Sequence, residues 1–425
     1  MQRASPQTCT AKCVAGVSGI LTIRGMLSVS EAEKVVFESV QPLPVEDCPL
    51  AGAHNRILRE PVRADRDLPP FDRATLDGIA IRHAAFAGGV RSFKSEGVQA
   101  AGMIQKARAN PDACLEIMTG AVLPHGCDTV VPVEDLVAKE KSFDLRDGAT
   151  VTAGQGVHRK ASDASKGDTL IEAGTRLGSP AIAIAASVGV ATLRTSQLPR
   201  VAVVATGDEL VEVESRVADH QIRRSNDHAI RAALIAFGCP KVERFHLRDV
   251  ADEVQKSLKE LLVRYDWVVV TGGVSKGKRD FLPSALAALG VRKLVHGVAQ
   301  RPGKPFWFGV TPRGTPVFAL PGNPVSALTC LHRYMLPAIE RAAGMRPAPP
   351  RNVALAKAVT FKPPLAWLLP VRLSNGPDGR LMAEPDPSNT SGDFAGLVDT
   401  NGFVELPADQ TEFPAGTVVP FRAWV

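Results

Sequence analysis

Three segments of this sequence combine glycine and proline with a basic or polar side chain. They are residues 271–280 (TGGVSKGKRD), 301–305 (RPGKP) and 321–327 (PGNPVSA). Glycine lets the backbone approach a ligand closely, exposed N–H groups at a helix start favour an anion, and Lys or Arg adds positive charge. One such loop is explained equally well as a turn. Three together predict a phosphate site, although neither a Walker A pattern nor a G-x-G-x-x-G fingerprint fits them.

Carboxylate side chains lie in the segments that follow two of the predicted strands. Asp208 and Glu209 follow the first strand of the region that begins at Pro199, and Asp280 ends the first of the three segments. Carboxylate and phosphate oxygens are the ligands that Mg²⁺ prefers, so these residues are candidate metal ligands. The alternative is that Asp208 and Glu209 only cap the helix that follows them.

The elements around these residues alternate between strand and helix. Predicted strands lie at residues 200–205, 241–246, 267–270, 293–298 and 316–320, and predicted helices at 226–237, 251–264, 282–289 and 325–343. Alternation with continuous apolar strands is typical of a mostly parallel sheet covered by helices on both faces. Ligands bind such sheets outside the carboxyl ends of the strands, where these loops and Asp208 would meet.

The rest of the chain predicts β-rich regions on both sides of this α/β domain. The expected division is a disordered leader at 1–25, N-terminal linker and β-rich domains at 26–198 with an inserted β module at about 65–155, the α/β domain at 199–345, and a small C-terminal β domain at 346–425. Short strand-like runs between Gly and Pro support the β assignments. A helix is expected from Ser28, which has capping-box spacing to Glu31, to about Val40.

Composition excludes several classes of protein. The 425 residues are 45% hydrophobic and 22% charged, and the net charge of +6 is scattered along the chain, which does not favour nucleic acid. Seven widely spaced cysteines without a C-x-x-C pair predict neither a disulfide framework nor a zinc site. The most apolar stretch, residues 180–193, is too short to span a membrane. Without a clear secretory signal, the expected location is the cytoplasm.

The motifs, taken in order, resemble the molybdopterin molybdenumtransferase family (MoeA and the E domain of gephyrin). The matching segments cover almost everything from Met26 onward: residues 71–78 (FDRATLDG), 117–121 (IMTGA), 133–134, 163–174, 206–210 (TGDEL), 272–275 (GGVS), 301–305 (RPGKP) and 320–327 (LPGNPVSA). TGDEL alone would be weak, whereas the ordered set is specific.

This resemblance implies an enzyme that inserts molybdenum from molybdate into adenylylated molybdopterin and releases AMP, with the help of a divalent cation such as Mg²⁺. It also implies a homodimer with a composite site, to which one subunit contributes its α/β domain and the other Asp77, Thr119 and Glu134. A molybdopterin adenylyltransferase and recipient molybdoenzymes are expected partners; nucleic acid and membrane are not.

Carried over by position, the resemblance assigns catalytic and binding roles. The expected catalytic residues are Asp77, Asp208, Asp280 and Lys304, with Asp208 and Asp280 as metal ligands. The expected substrate-binding residues are Thr119, Glu134, Gly272, Gly273, Ser275, Lys276, Arg301, Pro302, Gly303, Pro321, Gly322, Asn323, Pro324 and Ser326.

Several positions depart from the family pattern. Ser162 replaces the Glu of an Arg-x-Gly-Glu-Asp segment, and Pro283 replaces a Lys. Ile79 stands where Tyr is frequent, and Arg301 where Lys is typical. A serine cannot supply a fixed negative charge, and the proline removes a positive charge, so these two changes favour a second hypothesis, a binding or scaffold protein that has lost turnover. A third hypothesis is the adenylyltransferase that precedes insertion, which uses a related α/β domain.

Overall fold

The computed structural model describes residues 26–273, 282–386 and 395–425. The chain divides into two compact units. The larger contains residues 1–46, 55–57 and 196–425, and the smaller contains residues 47–54 and 58–195. No helix in these described ranges is both long enough and apolar enough to cross a bilayer.

The first described helix, α1 (Val29–Ser39), belongs to the larger unit and begins as the sequence predicts. The Ser28 hydroxyl accepts the Glu31 N–H, and the Glu31 carboxylate accepts the Ser28 N–H at 2.7 Å, which is a capping box. Val29, Ala32 and Val36 form its buried face.

The smaller unit is rich in β-strands, with short helices α2 (His83–Ala87) and α3 (Ser179–Ser187). The strands from here to the start of the α/β region are β1 (Val45–Pro49), β2 (Val62–Arg63), β3 (Arg73–Ala74), β4 (Gly78–Ile81), β5 (Ser92–Gln99), β6 (Cys114–Ile117), β7 (Thr129–Pro132), β8 (Leu136–Ala138), β9 (Ser142–Leu145), β10 (Val157–His158), β11 (Thr169–Ile171) and β12 (Thr192–Ser196). Six of them form one mixed sheet in the order β7-β4-β6-β5-β9-β8.

Strand β4 lies inside this sheet, and its two faces pack into different hydrophobic cores. Ile79 and Ile81 pack with Phe93, whereas Ala80 packs with Ile117 on the other side. Both neighbours, β6 and β7, run antiparallel to β4. The start of β4 therefore lies beside the ends of β6 and β7.

The larger unit contains a six-stranded α/β sheet. Its strands and the short strands beside them are β13 (Val201–Thr206), β14 (Leu210–Val211), β15 (Ile222–Arg223), β16 (Val242–Leu247), β17 (Trp267–Thr271), β18 (Arg292–His296), β19 (Gln300–Arg301), β20 (Trp307–Val310) and β21 (Pro316–Leu320). The sheet order is β16-β13-β17-β21-β20-β18. The first four strands of that order are mutually parallel, and β20 and β18 add antiparallel neighbours.

Helices cover both faces of this sheet. They are α4 (Asn226–Phe237), α5 (Ala251–Arg264), α6 (Leu282–Ala288), α7 (Pro324–Cys330) and α8 (Leu336–Ala342), and a π-helical turn at Leu331–Met335 joins the last two. Val201 and Val203 pack into a core with α1, α4, α7 and α8, whereas Ala202 and Val204 pack against α5 and α6. The three-layer α/β domain with a mostly parallel sheet is thereby confirmed.

A small β-barrel follows. Its strands and neighbouring short strands are β22 (Arg351–Leu355), β23 (Val359–Thr360), β24 (Ala366–Asn375), β25 (Leu381–Pro385), β26 (Gly402–Leu406), β27 (Glu412–Phe413) and β28 (Val418–Ala423). The pairings β24-β25-β22-β28-β26 close on themselves because β26 also pairs with β24. The C-terminal β domain is therefore confirmed as β-structured, and its ring of five strands has no free edge among these pairings.

Several contacts join this barrel to the α/β region inside the larger unit. Strand β19 leaves the α/β region and pairs in parallel with β24. The Arg333 guanidinium, in the π-helical turn, is 4% exposed and bonds both Glu33 of α1, at 2.5 Å, and Glu405 of β26, at 2.8 Å.

Candidate functional site

Three parallel strands of the α/β sheet end next to one another, and a glycine-bearing loop begins at the end of each. Neighbouring strands β13, β17 and β21 lead respectively into Asp208, Gly272-Gly273 and Pro321-Gly322. The Gly272 N–H donates to Leu320 O at 3.2 Å. Gly272 has φ +94°, and a Cβ there would lie 2.6 Å from Thr206 O, so only glycine fits this crossing.

A cavity of about 260 Å³ opens beside the end of β21. Most of its walls are residues that the sequence assigned to substrate binding: Arg301, Pro302, Gly303, Lys304, Pro321, Asn323 and Ser326. The other residues that line the cavity are Gln300, Pro305 and Leu365. The structure thus brings two of the three predicted loops into one pocket, and Leu365, just before β24, adds a wall from the C-terminal region.

A buried network fixes the loop that carries the basic residues. Gln300 is fully buried; its Nε2 donates to Pro302 O at 3.0 Å, and the Tyr334 hydroxyl donates to its Oε1. The Cys330 thiol donates to Gly303 O at 3.7 Å, and burial raises the pKa of this thiol, which keeps it protonated. Gly303 has φ +88°, and a Cβ there would lie 2.4 Å from Cys330 Sγ. This loop is therefore held at two consecutive carbonyl groups, those of Pro302 and Gly303.

The two cations on this loop carry the charge of the pocket. Arg301 and Lys304 are both exposed. Neither has a salt-bridge partner among the residues the structure describes. Cationic side chains held beside a cavity without a carboxylate partner are available to bind an anion such as phosphate.

Asp208 lies two strands away from this cavity in the sheet order, roughly 10 Å at the usual strand spacing. Its side chain is 57% exposed and its Oδ1 accepts the Asp249 N–H at 3.2 Å. The chain after Glu209 forms β14, and the next helix begins only at Asn226. The alternative that Asp208 and Glu209 cap a following helix is therefore wrong.

Three predicted residues, Ser275, Lys276 and Asp280, lie outside the described residues. Gly272 and Gly273 border that segment and are described. Pro324 is the first residue of α7, where its missing N–H is not required.

The predicted residues of the smaller unit meet at the start of β4. Asp77 accepts the Thr119 N–H at 2.6 Å and the Thr119 hydroxyl at 2.7 Å, and these bonds hold the pKa of the Asp77 carboxyl below its ordinary value. The Val133 N–H donates to Asp77 O at 3.0 Å, which brings the turn that carries Glu134 to the same place. The antiparallel pairing of β4 with β6 and β7 explains this convergence.

Each of these polar residues follows an exposed apolar side chain. Leu76 is 39% exposed, Met118 is 50% exposed and Val133 is 55% exposed. Exposed apolar side chains gathered around polar groups are typical of an interaction surface.

Two departures from the family pattern are accommodated locally. Ser162 donates its hydroxyl to Asp163 Oδ1 at 3.3 Å, and Asp163 also bonds the His158 ring at 2.8 Å. Pro283 lies in the first turn of α6, where proline does not break a helix.

Sequence reasoning did not single out Gln300, Tyr334 or Leu365. Gln300 was detectable in principle, since it is a polar residue next to the apolar pair Val298-Ala299 and directly before RPGKP. Leu365 and Tyr334 carry no local signal, because long-range packing alone brings them to the cavity loop.

Comparison with protein families gives three consecutive matches. Residues 27–189 match the "MoeA N-terminal region (domain I and II)", residues 202–341 the "Probable molybdopterin binding domain", and residues 352–424 the "MoeA C-terminal region (domain IV)".

Curated relatives match over nearly the whole chain. The molybdopterin molybdenumtransferase of Synechocystis sp. is 38% identical over 400 residues, which is 94% of this chain and 100% of that protein. The protein of the same name from Synechococcus elongatus is 32% identical over 94% of this chain and 100% of its own length.

Solved structures of MoeA proteins are also similar to this chain. A molybdopterin biosynthesis MoeA protein from Pyrococcus horikoshii has a TM-score of 0.74 at 30% identity and covers 94% of this chain and 99% of its own. A second structure of MoeA from this organism has a TM-score of 0.80 at 22% identity, covers 94% of this chain and 100% of its own, and supports the fold.

Proposed function

The chain belongs to the molybdopterin molybdenumtransferase family, and on that basis we propose that it inserts molybdenum from molybdate into adenylylated molybdopterin. The products are AMP and the molybdenum cofactor. The observation that carries this proposal is the cavity lined by Arg301, Lys304, Asn323 and Ser326, since it combines unpaired positive charge with neutral polar side chains.

Each part of the cavity has a role in this reaction. Lys304 and Arg301 bind the phosphate groups and neutralise the charge that develops on AMP as it leaves. Gly303 lets the backbone approach the ligand, because it carries no Cβ. Asn323 and Ser326 offer hydrogen bonds to the polar edge of the pterin.

We propose Mg²⁺ as the divalent cation, with Asp208 as one ligand and Asp280 as a second. The Asp208 carboxylate is exposed; its Oδ1 lies 3.6 Å from Arg248 Nε, and its Oδ2 has no hydrogen-bond partner among the described residues. Those residues contain no group of three His, Cys, Asp or Glu that could hold a metal alone. One or two carboxylates completed by substrate phosphates are a usual Mg²⁺ site, so this donor set fits. The bound ion would polarise the phosphoanhydride bond.

We further propose a cytoplasmic homodimer, in which Asp77, Thr119 and Glu134 of one protomer complete the site of the other. The exposed apolar side chains beside these residues support an interface at this surface. An adenylyltransferase that supplies the substrate and molybdoenzymes that take the product are the partners this reaction requires.

The test is an anaerobic single-turnover assay with the full chain, adenylylated molybdopterin, molybdate and Mg²⁺. We expect AMP release together with reconstitution of an apo-molybdoenzyme. Asp208→Asn is expected to lower AMP release at least tenfold and to raise the Mg²⁺ concentration for half-maximal rate. Binding without AMP release would instead identify a carrier or scaffold protein.

A further inference from the structure

Asn226, the first residue of α4, hydrogen-bonds two of the segments that form the candidate site. Its Nδ2 donates to Thr271 Oγ1 at 2.9 Å and to Gly322 O at 2.7 Å. Thr271 Oγ1 donates in turn to Pro321 O at 3.3 Å. One side chain therefore joins the end of β17, which leads into Gly272-Gly273, to the loop that follows β21.

The chemistry of the amide group suits this role. A primary amide nitrogen carries two hydrogens, and both are used here. The Gly322 carbonyl only accepts, so it fixes which end of the amide faces the loop. Thr271 is 3% exposed and Asn226 is half-buried, so water competes poorly for these bonds. Aspartate, which has the same shape, has no hydrogen to donate to this carbonyl when ionised.

The residue that follows Asn226 holds the first turn of α4 in place. Asp227 is fully buried; its Oδ2 lies 3.1 Å from Arg244 Nη1 and 3.6 Å from Arg224 Nη2. Breaking a buried ion pair is strongly destabilising, so these contacts of Asp227 hold the first turn of α4 in place. Asn226 is thus presented to the two loops by an element that is fixed independently of them.

We propose that Asn226 is a positioning residue for molybdenum transfer. It holds the Gly272-Gly273 and Pro321-Gly322 segments in register, and through them the cavity walls at Pro321 and Asn323. This inference rests on the proposed function. If the loops are not fixed in advance, ligand binding must order them, which weakens affinity and misplaces the reacting groups.

The kinetic test compares Asn226→Ala with the exposed Asn352→Ala on β22, which removes the same group far along the chain. We expect Asn226→Ala to raise the substrate concentration for half-maximal AMP release about tenfold, as for loss of one or two partly buried hydrogen bonds. A variant that is only partly unfolded would lower the maximal rate and leave that concentration unchanged.

Thr271 provides a matched pair of variants. Thr271→Ser keeps the hydroxyl and should behave as wild type. Thr271→Val removes the bond to Asn226 but leaves the bond from Asn226 to Gly322, so it should change the kinetics in the same direction as Asn226→Ala and by less. The double variant Asn226→Ala/Thr271→Val should cost less than the sum of the two single changes, because both remove the hydrogen bond between these two side chains.

Amide hydrogen exchange of the ligand-free protein tests the same inference without any catalysis. We expect faster exchange in peptides that contain Gly272 and residues 320–323 in Asn226→Ala, and no change in Asn352→Ala. Unchanged exchange in Asn226→Ala would overturn the positioning role, as would unchanged kinetics. If wild type releases no AMP, the proposed function fails, and the positioning role in molybdenum transfer fails with it; the exchange experiment still decides whether Asn226 holds the two loops.

Discussion

Lys304 is an exposed ammonium beside a cavity whose floor is fixed by Gln300 and Cys330. We expect Lys304→Ala to weaken binding of adenylylated molybdopterin by about 10- to 100-fold, because a charge-assisted hydrogen bond to phosphate is lost. Titration calorimetry measures this, with Lys293→Ala, an exposed lysine on β18, as the control. Equal affinities in both variants would show that Lys304 does not bind the phosphate.

Ala161 adopts the left-handed region, with φ +62°, at the position where the resembling Arg-x-Gly-Glu-Asp segment has glycine. A side chain with Cβ costs roughly 1–2 kcal/mol in this conformation. Glycine loses more backbone entropy on folding than alanine, which offsets part of the relieved strain. Ala161→Gly should therefore stabilise the smaller unit by about 0.5–1 kcal/mol. Calorimetry should show a higher unfolding temperature, and the exposed helical Ala84→Gly should show a lower one. A lower temperature for Ala161→Gly would contradict the strain.

The start of β4 and the end of β6 are joined by the hydrogen bonds from Thr119 to Asp77, which lower the pKa of that carboxyl. A lowered folded pKa contributes stability above the ordinary pKa near 3.8, and this contribution is lost as the pH falls through the lowered value. Thr119→Val keeps the backbone bond and removes the hydroxyl, so the Asp77 pKa should rise partway towards its ordinary value. Carboxyl ¹³C NMR titration measures this, and an unchanged pKa would exclude a contribution from the hydroxyl.

Elements with a strong local pattern were predictable from the sequence. Helices α4 and α5 have the predicted ends, because apolar periodicity and flanking turn residues define them. The predicted helix at 325–343 is interrupted by a π-helical turn, since Leu331–Met335 changes its hydrogen-bond spacing without changing its apolar pattern. Pairing partners were not predictable: neither the closure of β24 with β26 nor the parallel addition of β19 has a signal in short strands whose register depends on distant residues.

The candidate site also contains residues that were predictable from the sequence and residues that were not. Gly272, Gly303 and Lys304 were singled out because three loops of one α/β region combine glycine with a polar or basic side chain. Gln300 and Asn226 were not, because their contacts with Tyr334 and Gly322 join residues that are far apart in the sequence. Such contacts are properties of the folded molecule as a whole.

Arg333 connects three parts of the larger unit through Glu33 and Glu405. Burial alone would lower the pKa of this guanidinium, but the charges of Glu405 and Glu33 raise it, so it remains charged. Arg333→Leu leaves Glu405 without its cation and Glu33 with Arg422 alone, at 3.2 Å, and should destabilise the larger unit by about 3 kcal/mol. All four tryptophans lie in this unit, so fluorescence during urea unfolding reports on it. The exposed pair of Arg372 with Asp399 is the control, and Arg372→Leu should change stability little.

The pairing of β19 with β24, and the closure of the barrel by β28, set the order of events during synthesis. Arg301 leaves the ribosome long before Val418–Ala423, the strand that completes the ring. At about 5–20 residues per second, the delay is on the order of ten seconds. Throughout this interval β19 lacks a closed sheet to join and the cavity lacks a fixed Leu365 wall. Until β28 has been synthesised, the pocket of the nascent chain therefore lacks one of its walls in a fixed position.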